Sequence, residues 1–531
     1  MATKTTVHDV INELRVAPSK SEQGTKFERL MVDYFRLDPT LQVEYDEVQG
    51  WSSWPHRQNT HDTGIDLVAR NRDSGEWTAI QCKFYDPKYF LQKSDIDSFF
   101  TASGKSWDGV RFANRIIIST TDKWSKHAED ALTGQQIPVQ RIGLAEIAES
   151  PIDWMRESQL EYRLRKAVRY SLRPHQKAAI AAIRDGFRTH DRGKWISACG
   201  TGKTFTSLRL AEQQCRDNGG HLRVLFLAPS ISLVSQTLRE WLGQTQTDIR
   251  PFVVCSDTKA SRQAEDISVH DIPLPTTDAS KLAAALAAAP RRARGMQVVF
   301  STYQSIDVVA TAAKAAGIEF DLVLCDEAHR TTGVTLSGDT SESAFVKVHD
   351  NTYLPATKRL YMTATPRIYG DDVKQKADEA SAVLTSMDDE TLFGPEFHRL
   401  GFGEAVEQGL LADYKVMILV VENDAIADHV QASLVDDNME LSLDDAAKIV
   451  GCWNGLAKRT RDSEFGRDAT PMKRAVAFAR DIKASKAFAD AFPQVVDALA
   501  DDTASPVDHG LSCAVHHVDG TMNALIRAEQ W

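Results

Sequence analysis

The stretch Trp195-Ile-Ser-Ala-Cys-Gly-Thr-Gly-Lys-Thr204 decides how the rest of the chain is read. A short apolar run enters a glycine turn. A lysine, a threonine and a helix-like segment containing Leu208, Ala211 and Cys215 follow. The pattern predicts a strand, a phosphate-binding loop and a helix. The N–H groups around Gly200, Thr201 and Gly202 and the helix N-terminus would face a triphosphate; Lys203 would reach its outer phosphates and Thr204 would contact Mg²⁺. Ser197 stands where such loops usually have their first glycine.

Outward from this loop, residues 195–365 have the strand-then-loop rhythm of a parallel α/β domain. Four further apolar runs, Val224–Ala228, Gln297–Thr302, Phe320–Cys325 and Arg359–Thr363, read as strands buried on both faces. Each ends in polar or turn residues, and ligands of open parallel sheets bind at the carboxyl ends of strands. These endings are therefore expected on one rim. Asp326-Glu327, directly after Leu322-Val-Leu-Cys325, is the strongest of them: Asp326 would hold Mg²⁺ and Glu327 would polarise an attacking water.

The loop, the Asp326-Glu-Ala-His329 box and Thr363-Ala-Thr-Pro366 together resemble superfamily 2 helicases and translocases. That resemblance implies ATP as the nucleotide. It implies adenine reading by Gln176 in Leu172-Arg-Pro-His-Gln176, and coupling of nucleotide state to a nucleic-acid track by His329, Thr363 and Thr365. Segments around Pro229-Ser230 and Ser301-Thr302 would touch the tracked backbone.

The front of the chain reads as a separate α/β unit. Phe27, Leu30, Met31, Tyr34 and Phe35 fall at helical spacing, with Glu28 beside them. Gly64–Ala69 reads as a strand carrying Asp66, and Trp77–Phe84 as its antiparallel return, with Gln81 and Lys83 on one face. This arrangement suits metal-dependent phosphodiester cleavage. Asp66 would hold a divalent metal with Gln81 or the Cys82 carbonyl, and Glu28 would complete the shell. Lys83 would orient water and steady charge on the phosphate. The competing reading is a solvated hairpin, against which stand the apolar neighbours of Asp66 and Lys83. Asp66…Gln81-Cys-Lys83 resembles the D…QxK form of the PD-(D/E)xK nuclease fold in its Mrr-like branch. The resemblance places the metal ligand on Asp66, the catalytic lysine on Lys83 and the helix glutamate on Glu28, with Asp62 as a weaker candidate.

At 531 residues the chain is too long for one core. Seven scattered cysteines without a CxxC argue for reduced thiols. No apolar run is long enough to span a bilayer, and the N-terminus lacks a signal-peptide core, so a cytoplasmic protein without membrane contact is expected. A net charge of -12 gives no global pull toward nucleic acid. Two local basic clusters, Arg163–Arg173 and Arg291–Arg294, read either as solvated faces or as phosphate contacts.

The order of parts is similar to single-polypeptide Type ISP restriction–modification enzymes. The fold class implied is α/β: a restriction-endonuclease-like domain over 1–150, a helical connector over 151–170, a first RecA-like lobe over 171–368, a linker over 369–411 and a partial second lobe over 412–531. In that second lobe, Asp413–Val421, Arg474–Ala479 and Ala514–Val518 read as strands, and Ser256–Gly295 reads as a helical insertion in the first. The family implies Mg²⁺-dependent endonuclease and ATP-dependent translocase activity on double-stranded DNA. It also implies a coupler, a methyltransferase and a target-recognition domain, none of which this sequence contains. The chain stops at Trp531 before any arginine-rich QxxGRxxR stretch, so fast hydrolysis is not expected from it alone. A different class of function, a DNA-remodelling module whose nuclease fold only clamps, is the competing reading. An RNA helicase is disfavoured by the nuclease fusion.

Overall fold

The computed structural model describes residues 3–57, 64–158, 161–255, 276–288, 294–336, 345–370, 382–413, 443–458, 471–500 and 513–518. In chain order the first domain contains β1 (Thr3–Thr5), α1 (Val7–Leu14), α2 (Lys20–Leu37), α3 (Pro39–Glu44), β2 (Tyr45–Gly50), β3 (Leu67–Asn71) and β4 (Trp77–Lys83). It continues with α4 (Lys93–Ser103), β5 (Ser106–Trp107), β6 (Val110–Ser119), α5 (Lys126–Leu132), β7 (Val139–Ile142), α6 (Leu144–Glu149), β8 (Ile152–Ser158) and β9 (Glu161–Lys166).

The main sheet runs β2-β3-β4-β6-β5, with β7 beside β6. β3 is antiparallel to both β2 and β4, whereas β4, β6 and β7 are parallel. Strand alternation divides its side chains between two cores. Leu67, Ala69, Ile80, Ile116 and Ile118 pack under α1, α2 and α6. Val68, Ala79 and Ile117 face α4, α5 and a tryptophan cluster of Trp51, Trp54 and Trp107. All five apolar positions expected of α2 are buried.

Residues 151–170 depart from the helical connector expected. β8 and β9 form an antiparallel hairpin, and β1 pairs with β8. The charges on this stretch mimic a solvated helix, but its apolar residues have period two: Ile152, Trp154 and Leu164 enter the first domain's core.

The motor lobe contains α7 (Pro174–Gly186), β10 (Arg192–Ser197), α8 (Lys203–Asp217), β11 (His221–Ala228), α9 (Ile231–Gln244) and β12 (Ile249–Val254). After α10 (Ala279–Ala288) come β13 (Gly295–Thr302), α11 (Ile306–Ala316), β14 (Leu322–Cys325), β15 (Gly333–Leu336), β16 (Arg359–Thr363), β17 (Ala382–Thr385) and β18 (Glu396–Leu400). Seven strands in the order β12-β13-β11-β14-β16-β10-β18 are all parallel. β15 and β17 make a separate antiparallel pair. Of the expected insertion, α10 is described and packs on α11 through Leu282 and Leu286, while 256–275 and 289–293 lie outside the described residues.

The linker expected over 369–411 is corrected by β18, which pairs with the phosphate-loop strand β10. An edge strand has a neighbour on one side only, so Glu396, His398 and Arg399 are tolerated in it and no apolar run announces it. Phe397 explains the fit: its ring lies where a β-carbon on Gly186 or Gly193 would be, at 2.2 and 2.3 Å.

The first domain is seated on the motor lobe. Val43 of α3 packs against the lobe's core, and Pro151 lies over Gly243 at the end of α9. Arg250 meets Asp73 at 2.9 Å and Arg239 meets Glu149 at 3.2 Å. Beneath this contact a buried pair, Arg209 and Glu212 at 2.6 Å, ties α8 to the end of α9 through Gln244 and Thr245. The polar contacts fix orientation, while the apolar ones supply most of the stability.

Residues Asp413–Trp531 form a second compact unit. Within it, helices Leu443–Leu456 and Ile482–Ala500 meet through Trp453 and Phe492. The strand expected at 413–421 lies outside the described residues apart from Asp413. Arg474–Ala479 and Ala514–Val518 are irregular, not the strands expected. Phe478 is 95% exposed, and an apolar run becomes a strand only where neighbouring strands take its backbone groups. Among the described residues no helix is long and apolar enough to cross a membrane.

Candidate functional site

In the first domain, the residues singled out from the sequence gather at the carboxyl end of β4. The Asp66 N–H donates to the Ile80 carbonyl at 2.9 Å, and Asp66 Oδ2 accepts the Cys82 N–H at 2.7 Å. The carboxylate is thereby fixed between the positions of Gln81 and Lys83. Gln81 is 2% exposed and its Nε2 donates to the Gly64 carbonyl at 2.8 Å. That bond sets the amide's orientation, since flipping it would oppose two carbonyl oxygens. Among the described residues it leaves Gln81 Oε1 buried with no partner, an acceptor whose desolvation costs about 1–3 kcal/mol unless a donor or cation meets it.

Gly64, at φ +86°, makes this possible: a β-carbon there would sit 2.8 Å from Ser98 Oγ. Glu28 lies on α2. Burial, Asp66 and Glu28 together push the Cys82 thiol well above its usual range, opposed by Lys83, so all three charges are felt at Cys82. Among the described residues no three His, Cys, Asp or Glu side chains cluster closely enough to hold a metal. A cation here would need the Gln81 amide oxygen or a backbone carbonyl beside Asp66 and Glu28. The orphaned Gln81 Oε1 fits that donor set. Asp62 lies outside the described residues.

In the motor lobe, the strand endings share one rim. Leu227 lies beside Cys325, Cys325 beside Tyr361, and Ile196 beside Thr363. The phosphate loop turns at Gly200 and Gly202, with φ of +81° and +84°. A β-carbon on Gly202 would lie 2.6 Å from Gln176 Nε2. Gln176 is buried, accepts the Arg173 N–H at 2.9 Å and donates to the Thr201 carbonyl at 3.2 Å, so it braces the loop.

Ser197 supplies a brace that a glycine in its place would lack. Its hydroxyl lies 2.8 Å from Thr201 Oγ1, which in turn donates to the Ala198 carbonyl. Lys203 Nζ donates to the Ser197 carbonyl at 3.0 Å. Thr204 is the second residue of α8, and its carbonyl accepts the Trp241 indole N–H at 3.2 Å.

Asp326 is 9% exposed, and its carboxyl is pushed up to about 6, chiefly by burial and next by Glu327, with Lys203 opposing. A buried carboxylate raised in this way calls for a cation. Glu327 adopts φ +47°, in the left-handed region. His329 Nδ1 lies 2.9 Å from Thr363 Oγ1 and 3.4 Å from Glu327 Oε2, and the Thr365 N–H donates to Thr363 Oγ1 at 3.1 Å. Burial lowers the His329 pKa, which favours the neutral ring. The acid pair and the Thr363–Thr365 turn are thus one connected network.

The raised Asp326 carboxyl has a measurable consequence. It holds its proton more tightly folded than unfolded, so its ionisation opposes folding. The penalty is absent below 3.8, grows as pH rises and is complete above about 6. Asp326→Asn should therefore stabilise the nucleotide-free chain at pH 7.5 by up to about 3 kcal/mol. The gain in thermal unfolding should shrink at pH 5. An equal or negative change at both pH values would contradict it.

Sequence reasoning missed Tyr303, whose hydroxyl donates to the Asp326 backbone carbonyl at 2.9 Å. Its only signal was its place directly after a rim-forming strand end.

Residues 36–163 match the family described as a restriction endonuclease, and residues 169–368 match the Type III restriction enzyme res subunit. No curated protein matches. A solved structure described as the ATP-dependent Type ISP restriction–modification enzyme LlaBIII bound to DNA superposes with a TM-score of 0.80 at 35% identity over 99% of this chain. Across its nuclease and helicase-type domains the chain is similar to the Type ISP restriction–modification enzymes. It spans 33% of the length of that Type ISP relative. A nuclease-deletion mutant of the Type ISP enzyme LlaGI, in complex with a DNA substrate mimic, matches 61% of this chain and 21% of its own at 38% identity and a TM-score of 0.44. The chain therefore combines a restriction-endonuclease domain with a helicase-type lobe.

Proposed function

We propose that this chain is the nuclease–translocase portion of a Type ISP enzyme, cutting duplex DNA with Mg²⁺ and moving along it with ATP. The observation that carries the reading is the buried Gln81 Oε1, without a partner among the described residues, at the sheet end where the Asp66 carboxylate accepts the Cys82 N–H and the charges of Asp66, Glu28 and Lys83 are felt at Cys82. Asp66, Gln81 and Glu28 would hold the cation, with the Cys82 carbonyl in reach of the same position. When bound, it would polarise a phosphate oxygen and acidify a water. The Lys83 ammonium orients that water and offsets charge accumulating on the phosphate.

In the motor lobe, the N–H groups of Gly200, Thr201 and Gly202 with Lys203 cradle the phosphates. Thr204 and Asp326 take the nucleotide's Mg²⁺, Glu327 polarises water, and Gln176 reads the base. His329, Thr363 and Thr365 relay nucleotide state toward the DNA. The domains on this reading are 1–166 for the nuclease and 169–411 for the first motor lobe, with 412–531 belonging to the second. Coupler, methyltransferase and target-recognition segments belong to the two-thirds of the relative's length that this chain does not span. The working compartment is the cytoplasm, where the cell's DNA lies.

Relaxation of supercoiled plasmid decides between the two classes of function. Nicking that requires Mg²⁺ and proceeds without ATP is the expected result. Plasmid left intact across a Mg²⁺ titration would leave the fold as a clamp on an ATP-dependent remodelling module.

A further inference from the structure

One short turn joins three strand ends of the motor lobe. Residues Tyr303–Ser305 form a single 3-10 turn between β13 and α11. Thr302 Oγ1 donates to Ser305 Oγ at 3.2 Å and fastens the turn to its own strand. Gln304, exposed, donates through Nε2 to the Pro229 carbonyl after β11 at 3.4 Å. Tyr303, fully buried with its ring 5.0 Å from that of Phe345, donates to the Asp326 carbonyl at 2.9 Å.

That last bond holds an unusual peptide. The Asp326 N–H is already used by the Leu227 carbonyl, so the phenol grips the other end of the residue. The carbonyl it grips belongs to the peptide that leads into Glu327. Glu327 has φ +47°, a left-handed conformation that is strained for a residue with a β-carbon. Such a conformation persists only where its surroundings hold it. Fixing the Asp326–Glu327 peptide plane therefore fixes the direction in which the Glu327 side chain leaves the backbone.

We propose that Tyr303 is a positioning residue that links duplex-DNA contact at the ends of β11 and β13 to the placement of Asp326 and Glu327. Ser301 and Thr302 are themselves buried, and what this turn shows at the surface is Gln304, beside the partly exposed Ser230. A DNA backbone pressed against Ser230 or Gln304 moves the turn, and the phenol passes that movement to the acid pair. The inference rests on the motor reading given above.

The test uses the full chain, a fluorescent ATP analogue with Mg²⁺, and a blunt DNA duplex. The analogue's Kd is measured without DNA and with saturating DNA. The wild-type ratio should be about fivefold or more, as for ordinary heterotropic coupling. Tyr303→Phe keeps the ring and its stacking. It should leave the DNA-free nucleotide Kd, the DNA affinity and the Tm near wild type while the ratio falls toward one. Gln304→Ala, on the surface, should lower the ratio partway. A Tyr303→Phe ratio equal to wild type overturns the inference and leaves the motor reading standing. A wild-type ratio of one overturns both. Loss of both affinities together with a fall in Tm would show a merely structural role and also overturns the inference.

Discussion

Asp66→Ala is expected to lower Mg²⁺-dependent plasmid nicking on the order of 10³-fold, the scale of losing a principal electrostatic group at a phosphoryl centre. The alanine would also strip the Cys82 N–H of its acceptor, which sits 2.7 Å from the carboxylate. An unpaired buried amide costs about 1–3 kcal/mol, so part of any loss would come from instability. Asp66→Asn separates the two effects, because the amide oxygen still accepts that N–H while the charge is gone. This second variant should show nearly the same loss of nicking as the first, with a Tm closer to wild type. Lys83→Ala should lose nicking as well, since Lys83 stands next along the strand from the Cys82 N–H that holds Asp66. Nicking that survives all three substitutions would remove this site from the chemistry.

Lys203→Ala should weaken binding of MgATP by about a hundredfold, the equivalent of losing charge-assisted contacts worth about 3 kcal/mol. In the present conformation the ammonium donates to the Ser197 carbonyl, a single contact at a partly exposed position. The fold should therefore lose little, and thermal unfolding of the nucleotide-free variant should match wild type. Titration of a fluorescent ATP analogue reads the affinity directly. An unchanged Kd would mean that the loop does not take phosphates through this lysine.

The parts legible in the sequence were those with a strong period or a fixed chemical spacing. Phe27 to Phe35 carried a helical stripe, and every one of its apolar members expected inside is buried. The motor strands were continuous apolar runs because both of their faces are covered, as Leu225 and Phe226 show by entering opposite cores. Asp326 and Lys203 were readable from local spacing alone, and the fold brings them to one rim.

What escaped reading depended on partners distant in the chain. β18 is polar because it lies at an edge, so only its pairing with β10 reveals it. The β8–β9 hairpin carries its apolar residues on alternate positions amid charges, a pattern too short to outweigh composition. Tyr303 was invisible for a different reason. Its hydroxyl is aimed by the crossover between β13 and β14, and no local spacing encodes that meeting.

The seating of Val43, Pro151, Asp73 and Glu149 on the motor lobe has a geometric consequence. A cutting centre on a loose tether would sample many phosphates. One held at four separate points has its reach set in advance, like a gauge fixed to a carriage. On the proposed function, the distance from the motor's grip to the broken strand is a constant of the molecule, whatever the base sequence beneath it.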